Sequence, residues 1–268
     1  MYIAYQKESP LTMSEHIQVS RDAGVMTIRF NRPEKKNAFT VAMYETMTAA
    51  LAEAERDAGV RVVQFTAAGD AFTAGNDLAD FMSKPPTDEN SPVFRFLSAL
   101  ASASKPLVAV VDGLGVGIGL TLLLHCDLVY ASDRTKLRAP FVDLGLVPEA
   151  ASSLLLPRLF GYQRAAEILL LGETIDARRA HELGLINAVV PSADLAARAL
   201  EACHKLAAKP PMALKLTKQL LKDPQHATVA ERIRHEAVFF GRQLVSAEVK
   251  EALTAFFEKR APDFSKLG

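Results

Sequence analysis

Buried-strand and helix patterns alternate along the first two thirds of the chain. Residues 17–21 and 25–30 are predicted to form paired strands, since Asp22-Ala23-Gly24 between them favours a hairpin turn. Apolar runs at 61–66 and 107–111 predict two further strands, each followed by a glycine-containing loop and then a helix. Repeated strand and helix units of this kind are typical of an α/β core of about 200 residues.

Two helix-start signals follow the early strands. Thr40 is a suitable N-cap for an amphipathic helix that is predicted to extend to Ala58. Asp77 is predicted to begin a short second helix, and the polar, proline-rich segment 82–92 is predicted to be a mobile surface loop. The buried face of the first helix is predicted from its apolar residues Met43, Met47, Ala50, Leu51 and Ala54.

The last quarter of the chain has a predominantly helical pattern. From residue 194 onward, the predicted helices are interrupted at 209–211 and at 223–224, where prolines stand. We therefore divide the chain into an α/β core at 14–200 and a helical C-terminal module at 201–268.

The charge balance, the apolar runs and the cysteines of the chain disfavour several classes of function. Lysine plus arginine equals aspartate plus glutamate at 31 each, so no overall field attracts nucleic acid or an acidic membrane surface. No apolar run has the length of a membrane span, and the amino-terminal region lacks a secretion signal, so we expect a cytoplasmic protein. Cys126 and Cys203 form neither a disulfide framework nor a metal-ligand pattern, so we expect no metal site.

A glycine-rich loop within residues 105–132 is the first candidate for chemistry. Glycines at 113, 115, 117 and 119 separate a predicted strand from an apolar helical segment. Backbone N–H groups at such a helix start lack intrahelical partners, so they can hold an anion or a developing oxyanion. The spacing differs from GxGxxG and GxxxxGK[ST], which disfavours a dinucleotide or nucleoside triphosphate. A second strand-to-helix turn, around Gly75 and Asn76, offers the same kind of donor.

Glu149 is the candidate acid–base residue. Pro148 and Glu149 are predicted to start a helix, where a first-turn glutamate would stabilise the helix dipole. The neighbouring Leu, Val and Ala residues would instead desolvate the carboxyl, raise its pKa and suit it to general-base work. The residues alone favour the first interpretation and leave the second open. His125 and His181 stand alone in helical contexts, so we expect structural roles for both.

Six motifs, in order, resemble the crotonase, or enoyl-CoA hydratase/isomerase, superfamily over residues 14–264. They are NRPEKKNAF, AFTAGNDLADF, KPLVAVVDGLGVGIGLTLLLHCDLVYAS, DLGLVPEAASSLLLPRLFG, ARRAHELGLINAVVP and AFFEKRAPDF. The resemblance implies a crotonase-like spiral of ββα units with a C-terminal helical oligomerisation module, in a homotrimer or a dimer of trimers. It also implies an acyl-CoA thioester as the substrate, with no separate cofactor.

The resemblance assigns roles to residues in these motifs. The thioester oxygen would lie between the backbone N–H groups of Asn76 and Ile118, where the family usually has glycine at the second position. An isoleucine keeps its N–H group, so the donor is preserved. Contacts with CoA or the acyl group are implied for Lys35, Lys36, Ala38, Ala74, Asp77, Phe141, Leu144, Phe256 and Lys259.

Two positions at which the chain differs from the family pattern affect which reaction is expected. Hydratases of the family use two glutamates, and this chain has Thr121 and Phe141 at the matching positions. Neither side chain can serve as an ionised carboxylate at neutral pH. Glu149 matches the glutamate of peroxisomal-type 3-enoyl-CoA to 2-enoyl-CoA isomerases, in which one carboxylate suffices. The resemblance therefore favours a Δ3,Δ2-enoyl-CoA isomerase.

Two alternatives stay open. An enoyl-CoA hydratase would use Glu149 with Asp143 or another carboxylate, although a lone aspartate is more often a surface residue. A non-catalytic acyl-CoA-binding protein could keep the fold after losing the two glutamates, because a fold alone does not confer chemistry.

Overall fold

The computed structural model describes residues 14–83, 85–209 and 211–260. In chain order, its strands are β1 (Ile17–Asp22), β2 (Val25–Phe30), β3 (Val62–Ala67), β4 (Ala71–Thr73), β5 (Leu107–Val111), β6 (Leu114–Val116), β7 (Leu128–Ser132), β8 (Lys136–Arg138), β9 (Ile175–Asp176) and β10 (Ala188–Val190).

Helices alternate with these strands and then dominate the carboxyl-terminal part. They are α1 (Val41–Arg56), α2 (Leu78–Ser83), α3 (Pro92–Ser102), α4 (Ile118–Thr121), α5 (Ser152–Phe160), α6 (Tyr162–Leu171), α7 (Ala177–Glu182), α8 (Ser192–Ala207), α9 (Pro211–Leu244) and α10 (Ala247–Phe257). Short 3-10 helices cover Pro33–Lys35, Leu122–His125 and Val142–Leu144. Among the described residues, none of the helices combines the length and apolar character needed to cross a bilayer.

The strands form a spiral of ββα units. One sheet has the order β1-β2-β3-β5-β7-β10, and a second has the order β4-β6-β8-β9. Each of the pairs β3–β4, β5–β6 and β7–β8 sends its first strand to the larger sheet and its second strand to the smaller one. Within each sheet, these strands pair in parallel with those of the next unit. The expected α/β fold is therefore confirmed.

Helices cover both faces of the larger sheet. On one face, α1 and α3 pack together over the main hydrophobic core, which contains Phe30, Phe65 and Leu97. On the other face, α8 packs over β3, β5 and β7 through residues such as Leu195 and Cys203. The predicted domain boundary at residue 200 falls inside α8, because this helix continues the core to Ala207.

Local signals predicted several elements well. The predicted hairpin turn is present; Asp22 belongs to β1, and Ala23 and Gly24 both have positive φ, 46° and 82°, as a two-residue turn requires. Thr40 caps α1 by accepting a hydrogen bond from the Met43 N–H at 3.4 Å. Asp77 caps α2, since its Oδ1 accepts from the N–H groups of Ala79 and Asp80 at 3.1 and 3.2 Å.

Three predicted boundaries were wrong. The predicted loop at 82–92 is shorter, because α2 continues to Ser83 and α3 begins at Pro92, a position where proline is tolerated. The predicted break at 223–224 is absent, since α9 continues through it. Helix α5 begins at Ser152 instead of residues 148–149, because Ala150 and Ala151 have left-handed φ values of 52° and 56°.

The long helix α9 is joined to the core by an ion pair whose lysine is buried. Lys218 is 6% exposed, and its Nζ donates to Asp127 Oδ2 and to the Lys105 carbonyl, both at 2.7 Å. Asp127 Oδ2 also accepts from the Leu107 N–H group at 2.7 Å. A buried charge of this kind requires such partners, so α9 is fixed to the start of β5 and to the segment that precedes β7.

Candidate active site

Three short parallel strands bring the predicted site segments to one edge. In the smaller sheet, β4 pairs with β6 and β6 pairs with β8, all in the same direction. The carboxyl ends of parallel strands lie at the same edge of a sheet. Asn76 follows β4 by three residues, and Ile118 follows β6 by two. Both predicted oxyanion donors therefore lie in loops that leave the same sheet edge.

The backbone N–H group of Asn76 is directed away from its neighbouring segment. Phe39 donates its N–H to the Gly75 carbonyl at 2.7 Å, and Asp77 donates its N–H to the Phe39 carbonyl at 2.8 Å. In such a parallel bridge, the intervening N–H of Asn76 points to the other side. No protein acceptor is recorded for this N–H within the described part of the chain.

Ile118 supplies the second N–H group at the start of α4. Within residues 14–83, 85–209 and 211–260, no protein atom accepts a hydrogen bond from it, as expected for a first helical residue. Its side chain is 2% exposed and belongs to the main core. The isoleucine therefore directs its bulk inward and leaves the space beside Gly117 open, where a Cβ atom would meet no atom within 4 Å.

Two glycines let the two donor loops approach closely. A Cβ atom on Gly75, which has φ +93°, would lie 3.1 Å from the Val116 carbonyl oxygen. A Cβ atom on Gly119 would lie 2.8 Å from Thr73 Cγ2 and 3.1 Å from its carbonyl oxygen. Such contacts are too short for a larger residue, so glycine keeps α4 against β4.

Glu149 is buried beside α4. The residue is 5% exposed, and the hydroxyl of buried Thr121 donates a hydrogen bond to Glu149 Oε1. The Glu149 carbonyl accepts from the N–H and the hydroxyl of Ser152 at 2.9 and 2.7 Å, which fixes the turn before α5. The interpretation of Glu149 as a first-turn helix residue was wrong, because the left-handed residues Ala150 and Ala151 separate it from α5.

Tyr44 connects the loop that carries Asn76 to the surroundings of Glu149. Its hydroxyl donates to Asn76 Oδ1 at 2.6 Å, and its ring packs against Phe39 and Phe96. Burial, together with the negative charge of Glu149, raises the pKa of Tyr44 well above its ordinary value. Tyr44 therefore stays protonated and keeps donating to Asn76.

His125 supports the turn that follows Glu149. Its Nε2 lies 2.9 Å from the Ala150 carbonyl, and its own carbonyl accepts from Lys222 Nζ at 3.2 Å. Burial lowers the pKa of His125 to about 4; the Ala150 contact opposes this shift, and Lys222 and Lys218 add to it. The neutral ring donates from Nε2 to the Ala150 carbonyl, so the expected structural role is confirmed.

This burial predicts a pH-dependent loss of stability. The pKa of His125 falls from the ordinary 6.5 to about 4 on folding, so the unfolded chain binds the proton first as the pH decreases. Lowering the pH from about 8 to about 5 should therefore decrease the free energy of unfolding by about 2 kcal/mol, because the unfolded chain binds a proton on His125. Urea unfolding of His125→Gln, which keeps an N–H donor but does not titrate, should lack this component.

Exposed His204 provides the control. His204→Gln should show the same pH dependence as the wild type. The account of His125 is contradicted if the difference in unfolding free energy between wild type and His125→Gln stays constant over this pH range.

Backbone hydrogen bonds bring the predicted CoA-contact residues of two loops together. The Ala74 N–H donates to the Lys36 carbonyl at 2.8 Å, and Ala38 lies between Asn37 and Phe39, which also pair with this loop. The Asn37 amide is fully buried and donates to the Ala68 and Ala71 carbonyls, each at 2.8 Å. Lys35 and Lys36 are exposed at this loop as two cations. Their contact with CoA stays a prediction.

Asp77 has a structural role in addition to any contact with substrate. Arg32 Nη1 donates to Asp77 Oδ2 at 2.7 Å and to the Ala38 carbonyl at 3.0 Å. Burial favours a higher pKa for Asp77, but the hydrogen bond from Arg32 and the N–H groups of α2 hold it below its ordinary value. The ionised carboxylate thus ties the Ala38 loop to α2.

Two of the apolar residues with implied substrate contacts, Phe141 and Leu144, follow the third strand at the same sheet edge. Phe141 follows β8 by three residues, is buried in the main core, and precedes the 3-10 helix that contains half-buried Leu144. Helix α10 packs against this 3-10 helix and carries exposed Phe256 near its end, followed by exposed Lys259. Substrate contacts by these four residues stay predictions.

Other candidate groups have structural partners. Asp143 forms a 2.8 Å ion pair with Arg138, and His181 Nδ1 contacts the Ile186 carbonyl at 2.7 Å. Burial raises the pKa of Cys126 to about 12 and of Cys203 to about 11, so both remain thiols. In the described ranges, no cluster of three or more His, Cys, Asp or Glu residues could hold a metal ion.

Comparison with known families identifies the family of the chain. The model of the family described as enoyl-CoA hydratase/isomerase matches residues 20–266. The chain belongs to this family. This family is part of the crotonase superfamily.

Similar proteins carry different reaction names. Enoyl-CoA delta isomerase 2 from Rattus norvegicus is 36% identical over 253 residues, which cover 92% of this chain and 64% of that protein. The chain thus spans just under two thirds of that relative's length. 1,2-Epoxyphenylacetyl-CoA isomerase from Escherichia coli (strain K12) is 35% identical over 260 residues, covering 94% of this chain and 99% of that protein. The structure of Pseudomonas aeruginosa OdaA has a TM-score of 0.88 and 46% identity, covering 91% of this chain and 99% of that chain.

Two residues at the site were missed by sequence reasoning. Tyr44 lies one position after Met43 on the buried face of α1, and a buried tyrosine needs a hydroxyl partner. That signal could have suggested a polar contact in the core. Thr121 was considered only as a replaced glutamate, although a buried hydroxyl also requires a partner.

Proposed function

We propose that this enzyme moves the double bond of a 3-enoyl-CoA to give the trans-2-enoyl-CoA, with Glu149 as its single proton carrier. The observation that carries this proposal is a buried carboxylate fixed to the same short helix that supplies an oxyanion donor. The similarity to enoyl-CoA delta isomerase 2 supports the same reaction.

The reaction needs one base and a pair of hydrogen-bond donors that stabilise the oxyanion. Glu149 removes a proton from C2, so the C2–H bond breaks and an O–H bond forms on the carboxyl. The electron pair moves into the thioester carbonyl, and the N–H groups of Asn76 and Ile118 stabilise the resulting dienolate oxygen. Glu149 then returns the proton to C4, which leaves the double bond between C2 and C3.

The neighbouring side chains suit this reaction better than hydration. Hydration needs a group that activates water in addition to a proton donor. Asp143, the second carboxylate considered for that role, is about half exposed and paired with Arg138 at the surface. The side chain of Thr121, which contacts Glu149, carries a neutral hydroxyl and not a second carboxylate.

A substrate panel separates the reactions. Incubation with trans-3-hexenoyl-CoA should yield the conjugated thioester, measured by absorbance, whereas crotonyl-CoA should yield little 3-hydroxyacyl-CoA. A third arm uses 1,2-epoxyphenylacetyl-CoA, the substrate in the name of the Escherichia coli relative. Faster hydration than isomerisation would contradict the proposal, and binding without turnover in every arm would favour a non-catalytic acyl-CoA-binding protein.

We also propose a homotrimer or a dimer of trimers. Several large apolar side chains are exposed on the single chain, and an interface between subunits would bury them. Leu170 is 63% exposed, Leu171 60% and Phe256 57%.

A further inference from the structure

Thr121 lies at the junction between the base and the oxyanion donor. Its side chain is fully buried, and its hydroxyl donates a hydrogen bond to Glu149 Oε1. Its backbone N–H donates to the Gly117 carbonyl at 3.0 Å, which fixes the residue within α4. The same short helix begins with Ile118, so one rigid turn carries both the hydroxyl and the donor N–H group.

We propose that Thr121 is a positioning residue for the proton transfer, because its hydroxyl fixes the Glu149 carboxylate relative to the Ile118 N–H group. This inference rests on the proposed function and adds a residue to it. Ile118 and Thr121 are three residues apart, so the helical rise between them is about 4.5 Å. A hydroxyl at this position therefore sets the distance between base and oxyanion donor.

The proposed reaction depends on the orientation of the Glu149 carboxylate. A single carboxylate must reach both C2 and C4 of the same substrate, so its position relative to the bound thioester determines both proton transfers. A threonine side chain has few rotamers, which suits a fixed donor. Its hydroxyl is neutral, so it stabilises the charged carboxylate without placing a second negative charge beside it.

Thr121→Val should impair catalysis in a characteristic way. Valine keeps the shape of threonine but donates no hydrogen bond, so kcat on trans-3-hexenoyl-CoA should fall about ten- to a hundredfold. The acid limb of the kcat/KM profile should move to higher pH by about one unit, because the carboxylate loses a stabilising donor. KM should change little, and Thr121→Ser should restore most of the activity and the original pH limb.

Thr135→Val is the matched control. Thr135 is also fully buried, and its hydroxyl donates to the Val111 carbonyl at 2.9 Å, away from Glu149. This variant should lower the melting temperature without moving the acid limb. Thermal unfolding of all three variants separates a loss of stability from a loss of positioning.

A second measurement does not depend on turnover. If the wild type converts no 3-enoyl-CoA, the proposed function fails, and the role of Thr121 is then read from a carbon-13 NMR titration of the Glu149 carboxyl, assigned with Glu149→Gln. Thr121→Val should raise the titration midpoint by about one pH unit. An unchanged midpoint, or full kcat with an unchanged acid limb in an active enzyme, overturns the inference about Thr121.

Discussion

Glu149→Gln should lower kcat on trans-3-hexenoyl-CoA by about a thousandfold, since general acid–base catalysis contributes on that order. Glutamine has nearly the shape of glutamate, and its amide oxygen can still accept the hydrogen bond from Thr121. It cannot take a proton from C2 at neutral pH. Because binding contacts are retained, KM should change by much less than kcat, and steady-state absorbance of the conjugated product measures both.

Asp143→Asn is the matched control for the loss of a carboxylate. Asp143 is the other carboxylate considered for catalysis, and it forms a half-exposed ion pair with Arg138. This variant should retain activity within a few-fold of the wild type, because exposed ion pairs contribute about 1 kcal/mol or less to stability. Full isomerase turnover by Glu149→Gln, or a large loss in Asp143→Asn, would contradict the assignment of the base.

Ile118→Pro should lower kcat/KM by about a hundred- to a thousandfold, as expected for removal of one oxyanion donor. Proline has no N–H group, and at the first helical position it breaks no helix hydrogen bond. Gly117 has φ 55° and ψ −114°, the mirror image of the extended conformation that precedes proline, so glycine can accommodate the ring. The backbone fold should therefore persist while the donor disappears.

Ile118→Val is the control for the lost side-chain volume. Valine keeps the N–H group and should reduce stability by about 1 kcal/mol, the usual cost of one buried methylene group. Its kcat/KM should stay close to that of the wild type. A folded Ile118→Pro enzyme, verified by circular dichroism, that retained full activity would exclude the Ile118 N–H group from the oxyanion site.

The longer elements of the fold were predictable from local patterns. Periodic apolar residues predicted α1, and buried runs predicted β3 and β5 close to their observed bounds. The strands β4, β6 and β8 were not predicted, because each spans only three residues and shows no recognisable alternation. Those short strands nevertheless form the sheet edge from which the loops of the candidate site leave.

The free backbone N–H groups of the candidate site were predictable, whereas its side-chain contacts were less so. Glycine spacing around Gly75 and Gly117 indicated free N–H groups, and the structure leaves those of Asn76 and Ile118 without a recorded acceptor in its described parts. The hydrogen bond from Thr121 to Glu149 joins residues 28 positions apart, so no local pattern contains it. The left-handed pair after Glu149 was also missed, because alanine has little preference for that conformation.

The fate of the C2 proton tests the central claim most directly. Trans-3-hexenoyl-CoA carrying deuterium at C2 is converted in ordinary water under single-turnover conditions, and deuterium at C4 of the product is measured by mass spectrometry. Because Glu149 is buried and carries the proton between the two carbons, we expect part of the deuterium at C4. A product whose new C4 hydrogen comes entirely from solvent would contradict direct proton transfer between the two carbons by a buried carboxylate.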